Sequence, residues 1–223
     1  MQCNFHQGRN VMADLAGIAE SIINGNAQAT RDRVNEAVSA GVNVADILNQ
    51  GLIAGMDVVG TKFRANEFYV PEVLIAARAM HAGMDILQPL LTKAGIKSLA
   101  KIAVGTVKGD LHDIGKNLVT MMLKGGGFEV LDLGIDVPAE KFVAAVRDEQ
   151  VQVLGLSALL TTTMPGMKDV IEALRQAGLR DKVKVLVGGA PVTQSYADEI
   201  GADGYGEDAA TAVIKARKIL GLA

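Results

Sequence analysis

The 223 residues carry 22 Lys and Arg against 25 Asp and Glu, a formal net charge of −3, which gives no general attraction to nucleic acid or to an anionic membrane. Aromatic residues make up 4% with no Trp, too few for a base-stacking platform, and no apolar run reaches the roughly 18 residues a bilayer span requires. Cys3 is the one cysteine, so an internal disulfide framework is excluded and a reducing, cytoplasmic setting is expected; the opening MQCNFHQGRN also lacks the charged-then-apolar layout of a secretory signal.

Residues 11–94 read as helix almost throughout. Val11, Leu15, Ile18 and Ile22, then Ile47, Leu52, Met56, Val59 and Phe63 recur at helical spacing. Gly25 and Gly41 interrupt the pattern, and Pro71 suits the first turn of a last long helix running to about Leu91. About four helices with short connections predict a small antiparallel bundle. TKAGIKSLA, small, polar and cationic, then reads as a linker. The predicted division is a helical domain over 1–92, a linker over 93–100 and a second domain over 101–223.

From Lys101 the rhythm becomes strand, turn and helix, repeated. KIAVGTV, FEVLDLG, VQVLGLS and VKVLVGG are continuous apolar runs, as strands buried on both faces should be. ADGYGEDAATAVIKARKIL supplies a short fifth strand and a closing helix. The fold class is therefore α/β: a helical bundle followed by a doubly wound parallel sheet of about five strands, flavodoxin-like and Rossmann-like, in the order 2-1-3-4-5. In that order ligands sit beyond the carboxyl ends of the strands, where the winding reverses between strands 1 and 3. The loops there are KGDLHDIG and SALLTTTMPG. Topology alone thus brings Asp110 and His112 near Ser157, Thr161 and Thr163.

His112 is one of three histidines, with His6 and His81. A lone imidazole can ligate a metal, transfer protons or simply be loop surface. Asp110 can accept the second ring N–H and fix the tautomer, as carboxylates do behind metal-bound histidines, or it can cap the helix starting near Gly115. A metal held by protein groups alone needs about three or four ligands. This chain offers one plausible imidazole and no suitable thiol, so a metal at His112 would need a cofactor such as a macrocycle to fill its coordination sphere. Gly188 and Gly189 after strand 4, and Gly204 and Gly206 at strand 5, leave backbone bare for a bulky ligand or mark tight turns. The hydroxyls of Ser157, Thr161, Thr162 and Thr163 can bond a polar tail, or Thr163 can cap the next helix. G-x-G-x-x-G and P-loop motifs are absent, which disfavours a dinucleotide or nucleoside triphosphate.

Asp-x-His-x-x-Gly at 110–115, SALLTTT about 40 residues on and VGGAPV about 30 further resemble the cobalamin-binding domain of corrinoid proteins and cobalamin-dependent methyltransferases. GMDVVGTKFRANEFYVPEVLIAARAM, at 55–80, is similar to the helical cap module preceding that domain in methionine synthase and small corrinoid proteins. The likeness runs from about residue 11 to 220. It implies that His112 displaces the cofactor's dimethylbenzimidazole and ligates cobalt from below. The freed nucleotide tail would pass Ser157, Thr161, Gly188 and Gly189. Asp110 would hydrogen-bond His112, with Thr163 standing where a serine completes the relay in methionine synthase and its methyl group restricting the rotamer.

The resemblance also assigns Gly109, Leu111, Asp113, Ile114 and Gly115 to the cofactor site, together with Leu159, Leu160, Ala190, Tyr205 and Gly206. Tyr69 falls where the cap places an aromatic over the cobalt, or is an ordinary helix-end residue. The implied function is methyl carriage on cobalamin, methylcobalamin in the loaded state, by the corrinoid subunit of a methanol, methylamine, methoxyaromatic or betaine system. A substrate-specific methyltransferase, an acceptor methyltransferase and a reductive activator are the implied partners, and the linker the expected hinge. A cobalamin-sensing regulator would need a DNA-binding head, for which residues 1–10 leave no room. A mutase cobalamin subunit shares the Asp-x-His-x-x-Gly loop but usually lacks the cap. A flavin carrier fits the topology, yet it lacks an aromatic sandwich and gives the Asp110–His112 pair no task.

Overall fold

The computed structural model describes residues 14–222; Val11, Cys3, His6 and the stretch 1–10 lie outside them. Helix α1 (Leu15–Ile23) is capped by Asp14, whose carboxylate accepts the Gly17 N–H at 2.8 Å. Helix α2 (Ala27–Ser39) is capped in the same way by Asn26. Gly25 and Gly41, at φ +66 and +76, end these helices in the left-handed conformation that glycine adopts without strain. The third rod begins as α3 (Val44–Asp46), passes through a π-helical stretch (Ile47–Ile53) and continues as α4 (Ala54–Arg64). Gly51 and Gly55 on it let α1 approach closely, since an added Cβ would come within 3.0 Å of Ile18 and 2.9 Å of the Ala19 carbonyl. Helix α5 (Val70–Lys93) starts with Pro71 in its first turn and Glu72 accepting the Tyr69 N–H at 2.9 Å. The predicted four helical rods are therefore present, with Ile18, Ile22, Leu52, Val59 and Leu87 fully buried between them.

Residues 94–100 form no regular element. Beyond them the chain alternates: β1 (Lys101–Val107), α6 (Ile114–Gly125), β2 (Glu129–Val137), α7 (Ala139–Asp148), β3 (Val153–Ser157), α8 (Pro165–Gln176), β4 (Lys184–Gly188), α9 (Gln194–Ile200), β5 (Gly204–Gly206) and α10 (Ala209–Ile219). All pairings are parallel and the order is β2-β1-β3-β4-β5, as expected. Successive residues of β1 point to opposite faces. Ile102 and Val104 join a core with α6 and α10, whereas Ala103 and Val107 join one with α7, α8 and α9.

The helical bundle rests on the α6–α10 side, and its core is continuous with that layer. Gly60 of α4 sits where a Cβ would touch Met122 and Ala210 at 3.3 and 3.5 Å. Arg217 of α10 spans this seam, 3.1 Å from Asp57 of α4 and donating to the Gly126 carbonyl at 3.2 Å. This packing carries the end of α4 to the carboxyl edge of the sheet, where Phe63 lines one cavity together with residues of the loops after β1, β3 and β4.

Candidate functional site

Strand β1 ends in a turn through Gly109, whose φ of +81 turns the chain back beneath the sheet edge. The turn buries Asp110 completely. Its Oδ1 accepts the backbone N–H of His112 at 3.0 Å and lies 2.7 Å from His112 Nδ1. Its Oδ2 accepts the Leu159 N–H and the Thr163 hydroxyl, both at 2.7 Å. The loops after β1 and β3 are thus fastened to one carboxylate. Burial works to raise the pKa of Asp110, but the hydrogen bonds from Thr163, Leu159 and His112 outweigh it and hold the carboxyl well below the usual carboxylate range.

An ionised Asp110 fixes the ring of His112: Nδ1 carries the proton and donates, leaving Nε2 with its lone pair. Among the described residues no protein group bonds Nε2. The side chain is 50% exposed and faces a cavity of about 570 Å³. Thr106 Oγ1 donates to the His112 carbonyl at 2.9 Å and steadies the backbone beneath the ring. Neither Asp110 nor Thr163 acts as a helix cap. Asp113 precedes α6 and Met164 precedes α8, while the Thr163 hydroxyl lies between Asp110 and the Leu160 carbonyl, 2.9 Å away.

The cavity lies where the winding of the sheet reverses. Residues 111–115 form one wall, Ser157 and Leu159 a second, and Gly188, Gly189, Ala190 and Gly206 border the far side. Gly109, Asp110 and Thr163 stand behind His112 rather than in the wall. Leu160, Thr161 and Tyr205 lie outside it, as does Tyr69, which is 61% exposed. The aromatic that does reach the cavity from the helical bundle is Phe63, which helical spacing marked only as a packing position. Lys116, buried and chelated by Asp132 at 2.6 and 2.7 Å, is a second wall residue with no advance signal.

The glycines have an internal cause. A Cβ on Gly188 would lie 2.9 Å from the Gly206 carbonyl, and one on Gly189, at φ +134, would lie 1.9 Å from that of Ala158. Close backbone approach requires these glycines, and a bare cavity floor is the consequence.

Among the described residues no cluster of three or more His, Cys, Asp or Glu could hold an ion, so His112 offers a single nitrogen. Around it Leu111, Ile114 and Leu159 are 68, 78 and 44% exposed, an apolar rim of a kind that marks a binding surface. One free imidazole nitrogen, an apolar rim and a roomy cavity bordered by bare glycine backbone fit a metal macrocycle with a long tail. They do not fit a metal bound by protein side chains alone.

Fold and site together define an α/β cofactor-binding protein with an N-terminal helical bundle. A B12 binding domain model matches residues 100–214 and a second B12 binding domain model matches residues 15–88. The chain is 44% identical to dimethylamine corrinoid protein 3 of Methanosarcina acetivorans over 212 residues, covering 94% of this chain and 100% of that one. The structure of a cobalamin-binding protein from Desulfitobacterium hafniense matches with a TM-score of 0.79 at 33% identity, covering 92% of this chain and 98% of that one. The methanol:cobalamin methyltransferase complex of Methanosarcina barkeri matches with a TM-score of 0.82 at 34% identity, over 94% of this chain and 80% of that one. The chain belongs to the B12-binding corrinoid protein family, and cobalamin is its cofactor. Among the described residues no helix is long and apolar enough to cross a membrane.

Proposed function

We propose that this chain is a methyl carrier of the methylamine type, holding cobalamin with His112 as the lower axial ligand. It passes a methyl group from a substrate-specific methyltransferase to an acceptor methyltransferase in the cytoplasm, and a reductive activator restores the cofactor. The observation that carries the reading is the state of His112: Nδ1 tied to a buried carboxylate, Nε2 free, and the ring half exposed at the cavity. The near full-length likeness to a dimethylamine corrinoid protein supports an amine as methyl source. The architecture of the methanol:cobalamin methyltransferase complex supports working against a separate methyltransferase.

Bound cobalamin supplies a metal centre that accepts and releases a methyl group. The protein's residues do the rest. Asp110 keeps the proton on Nδ1 and so keeps Nε2 a donor. Thr163 and the Leu159 N–H keep Asp110 ionised. Leu111, Ile114 and Leu159 would exclude water around His112, and Ser157 with the glycine floor would receive the tail. On this reading residues 1–92 are the cap, 93–100 the hinge and 101–223 the cobalamin domain, with Phe63 the cap's aromatic contact.

The test is electron paramagnetic resonance of the protein loaded with cobalt(II) cobalamin, unlabelled and then with nitrogen-15 histidine. The superhyperfine triplets become doublets if a histidine nitrogen is the axial ligand, and His112→Ala abolishes the change. Triplets that survive labelling would mean the cofactor keeps its own base, and the reading fails. Methylation of the loaded protein by dimethylamine with a dimethylamine methyltransferase, against methanol with its own, tests the substrate class.

A further inference from the structure

The loop that presents His112 is braced from a second strand. Near their carboxyl ends the pairing of β1 and β2 slips twice: Val104 faces Asp132, Gly105 faces Gly134 and Val107 faces Val137. Strand β2 therefore accommodates an additional residue at each slip, and each carries a left-handed residue, Gly134 at φ +92 and Asp136 at φ +51. Glycine takes that conformation without steric penalty. Among other residues, aspartate and asparagine adopt it most readily, and here the aspartate side chain has a use.

Asp136 Oδ1 accepts the Gly109 N–H at 2.7 Å, and the Asp136 N–H donates to the Asp110 carbonyl at 3.0 Å. Two bonds thus grip consecutive residues of the turn. Gly109 is left-handed as well, at φ +81, so this turn has little intrinsic preference for its observed shape. The next side chain is the buried Asp110, and two residues further His112 hangs from it.

We propose that Asp136 is the positioning residue of the site: by clamping Gly109 and Asp110 it sets the direction and tautomer of the His112 ring. The inference deepens the methyl-carrier reading and rests on it for its purpose, but the clamp itself is measurable without cofactor. If only the backbone bulge mattered, glycine would serve, as it does at Gly134. Asparagine tolerates the left-handed conformation and keeps an Oδ1 acceptor. Asp136→Gly and Asp136→Asn therefore separate the two roles.

The experiment is nitrogen-15 histidine NMR of the full-length apoprotein, with His112→Ala assigning the resonance, followed by the paramagnetic resonance spectrum and cobalamin titration of the same variants. Asp136→Asn is expected to retain the Nδ1–H tautomer. Asp136→Gly, with a wild-type melting profile, is expected to show a mixed tautomer, to bind cobalamin about fivefold more weakly and to give a smaller doublet fraction. A wild-type tautomer and affinity in Asp136→Gly would overturn the proposal. So would an equal fall in melting temperature for both variants, which would make Asp136 a determinant of strand stability alone. If wild-type protein showed no label-dependent splitting, the methyl-carrier reading would fail, while the apoprotein NMR would still decide the clamp.

Discussion

Asp110→Asn changes no volume, so it isolates the chemistry of the buried carboxylate. Four donors converge on Asp110 within 3.0 Å, two on each oxygen. An amide in the same place must set an NH2 against one pair. Placed at Oδ2 it confronts the Leu159 N–H, and placed at Oδ1 it confronts the His112 N–H. Neither backbone donor can rotate away, whereas the Thr163 hydroxyl and the imidazole can adjust. One buried donor left unsatisfied costs about 1–3 kcal/mol, and loss of the negative charge weakens the remaining bonds. The expected loss is about 2–4 kcal/mol in urea unfolding of the apoprotein, or roughly 4–16 °C in melting temperature at this chain length. A pH series supplies an independent check. Because the folded carboxyl is held low, its stabilisation is present above the unfolded pKa and is lost as pH falls toward the folded one. With an unfolded value of about 3.9, the gap between wild type and variant narrows by about 1 kcal/mol from pH 7 to pH 3. A gap below about 0.5 kcal/mol at pH 7, or one unchanged at pH 3, would refute the reasoning.

Two further expectations concern the cavity. Gly189→Ala places a methyl group 1.9 Å from the Ala158 carbonyl at φ +134, where no flexible side-chain end can yield; the apoprotein should lose about 3 kcal/mol or more, and a melting point within about 3 °C of wild type would contradict this. Leu111→Ser combined with Ile114→Ser alters side chains already 68 and 78% exposed, so apoprotein stability should move by less than about 0.5 kcal/mol while cobalamin affinity falls about tenfold; equal affinity by titration would show that this rim does not touch the cofactor.

The sheet was legible because parallel strands buried on both faces declare themselves as apolar runs, and KIAVGTV coincides with β1 from Lys101 to Val107. Its order was expected from the flavodoxin-like arrangement of about five doubly wound strands, and with it the meeting of Asp110, His112 and Thr163. What stayed hidden depends on register and rotation. The clamp from Asp136 needs two slips between β1 and β2, which no local pattern encodes. Tyr69 precedes α5, exposed and outside the cavity, whereas Phe63 at the end of α4 lines it, a difference set by how the helices pack and not by the spacing of either residue. The glycines were visible but their cause was not. Gly188 and Gly189 answer to carbonyls of Gly206 and Ala158, neighbours fixed only by strand pairing. The π-helical stretch at 47–53 had no signal, since its apolar spacing reads as ordinary helix.

Burying a charge with no cation beside it is expensive unless hydrogen bonds replace its water, and Asp110 shows what that replacement accomplishes. Its donors come from both loops at the point where the winding of the sheet reverses, so the buried carboxylate has its full set of hydrogen bonds only while the two loops stay together. The same bonds leave His112 anchored at one nitrogen and open at the other. Thr163 completes the arrangement with one proton and two acceptors, Asp110 at 2.7 Å and the Leu160 carbonyl at 2.9 Å. The ionised carboxylate holds that proton. Were Asp110 to take up a proton, the hydroxyl could turn to Leu160 and accept from Asp110 in exchange, with no heavy atom displaced. A β-branched side chain suits this task, because its restricted rotamer holds the oxygen between both partners and leaves only the hydrogen free to choose.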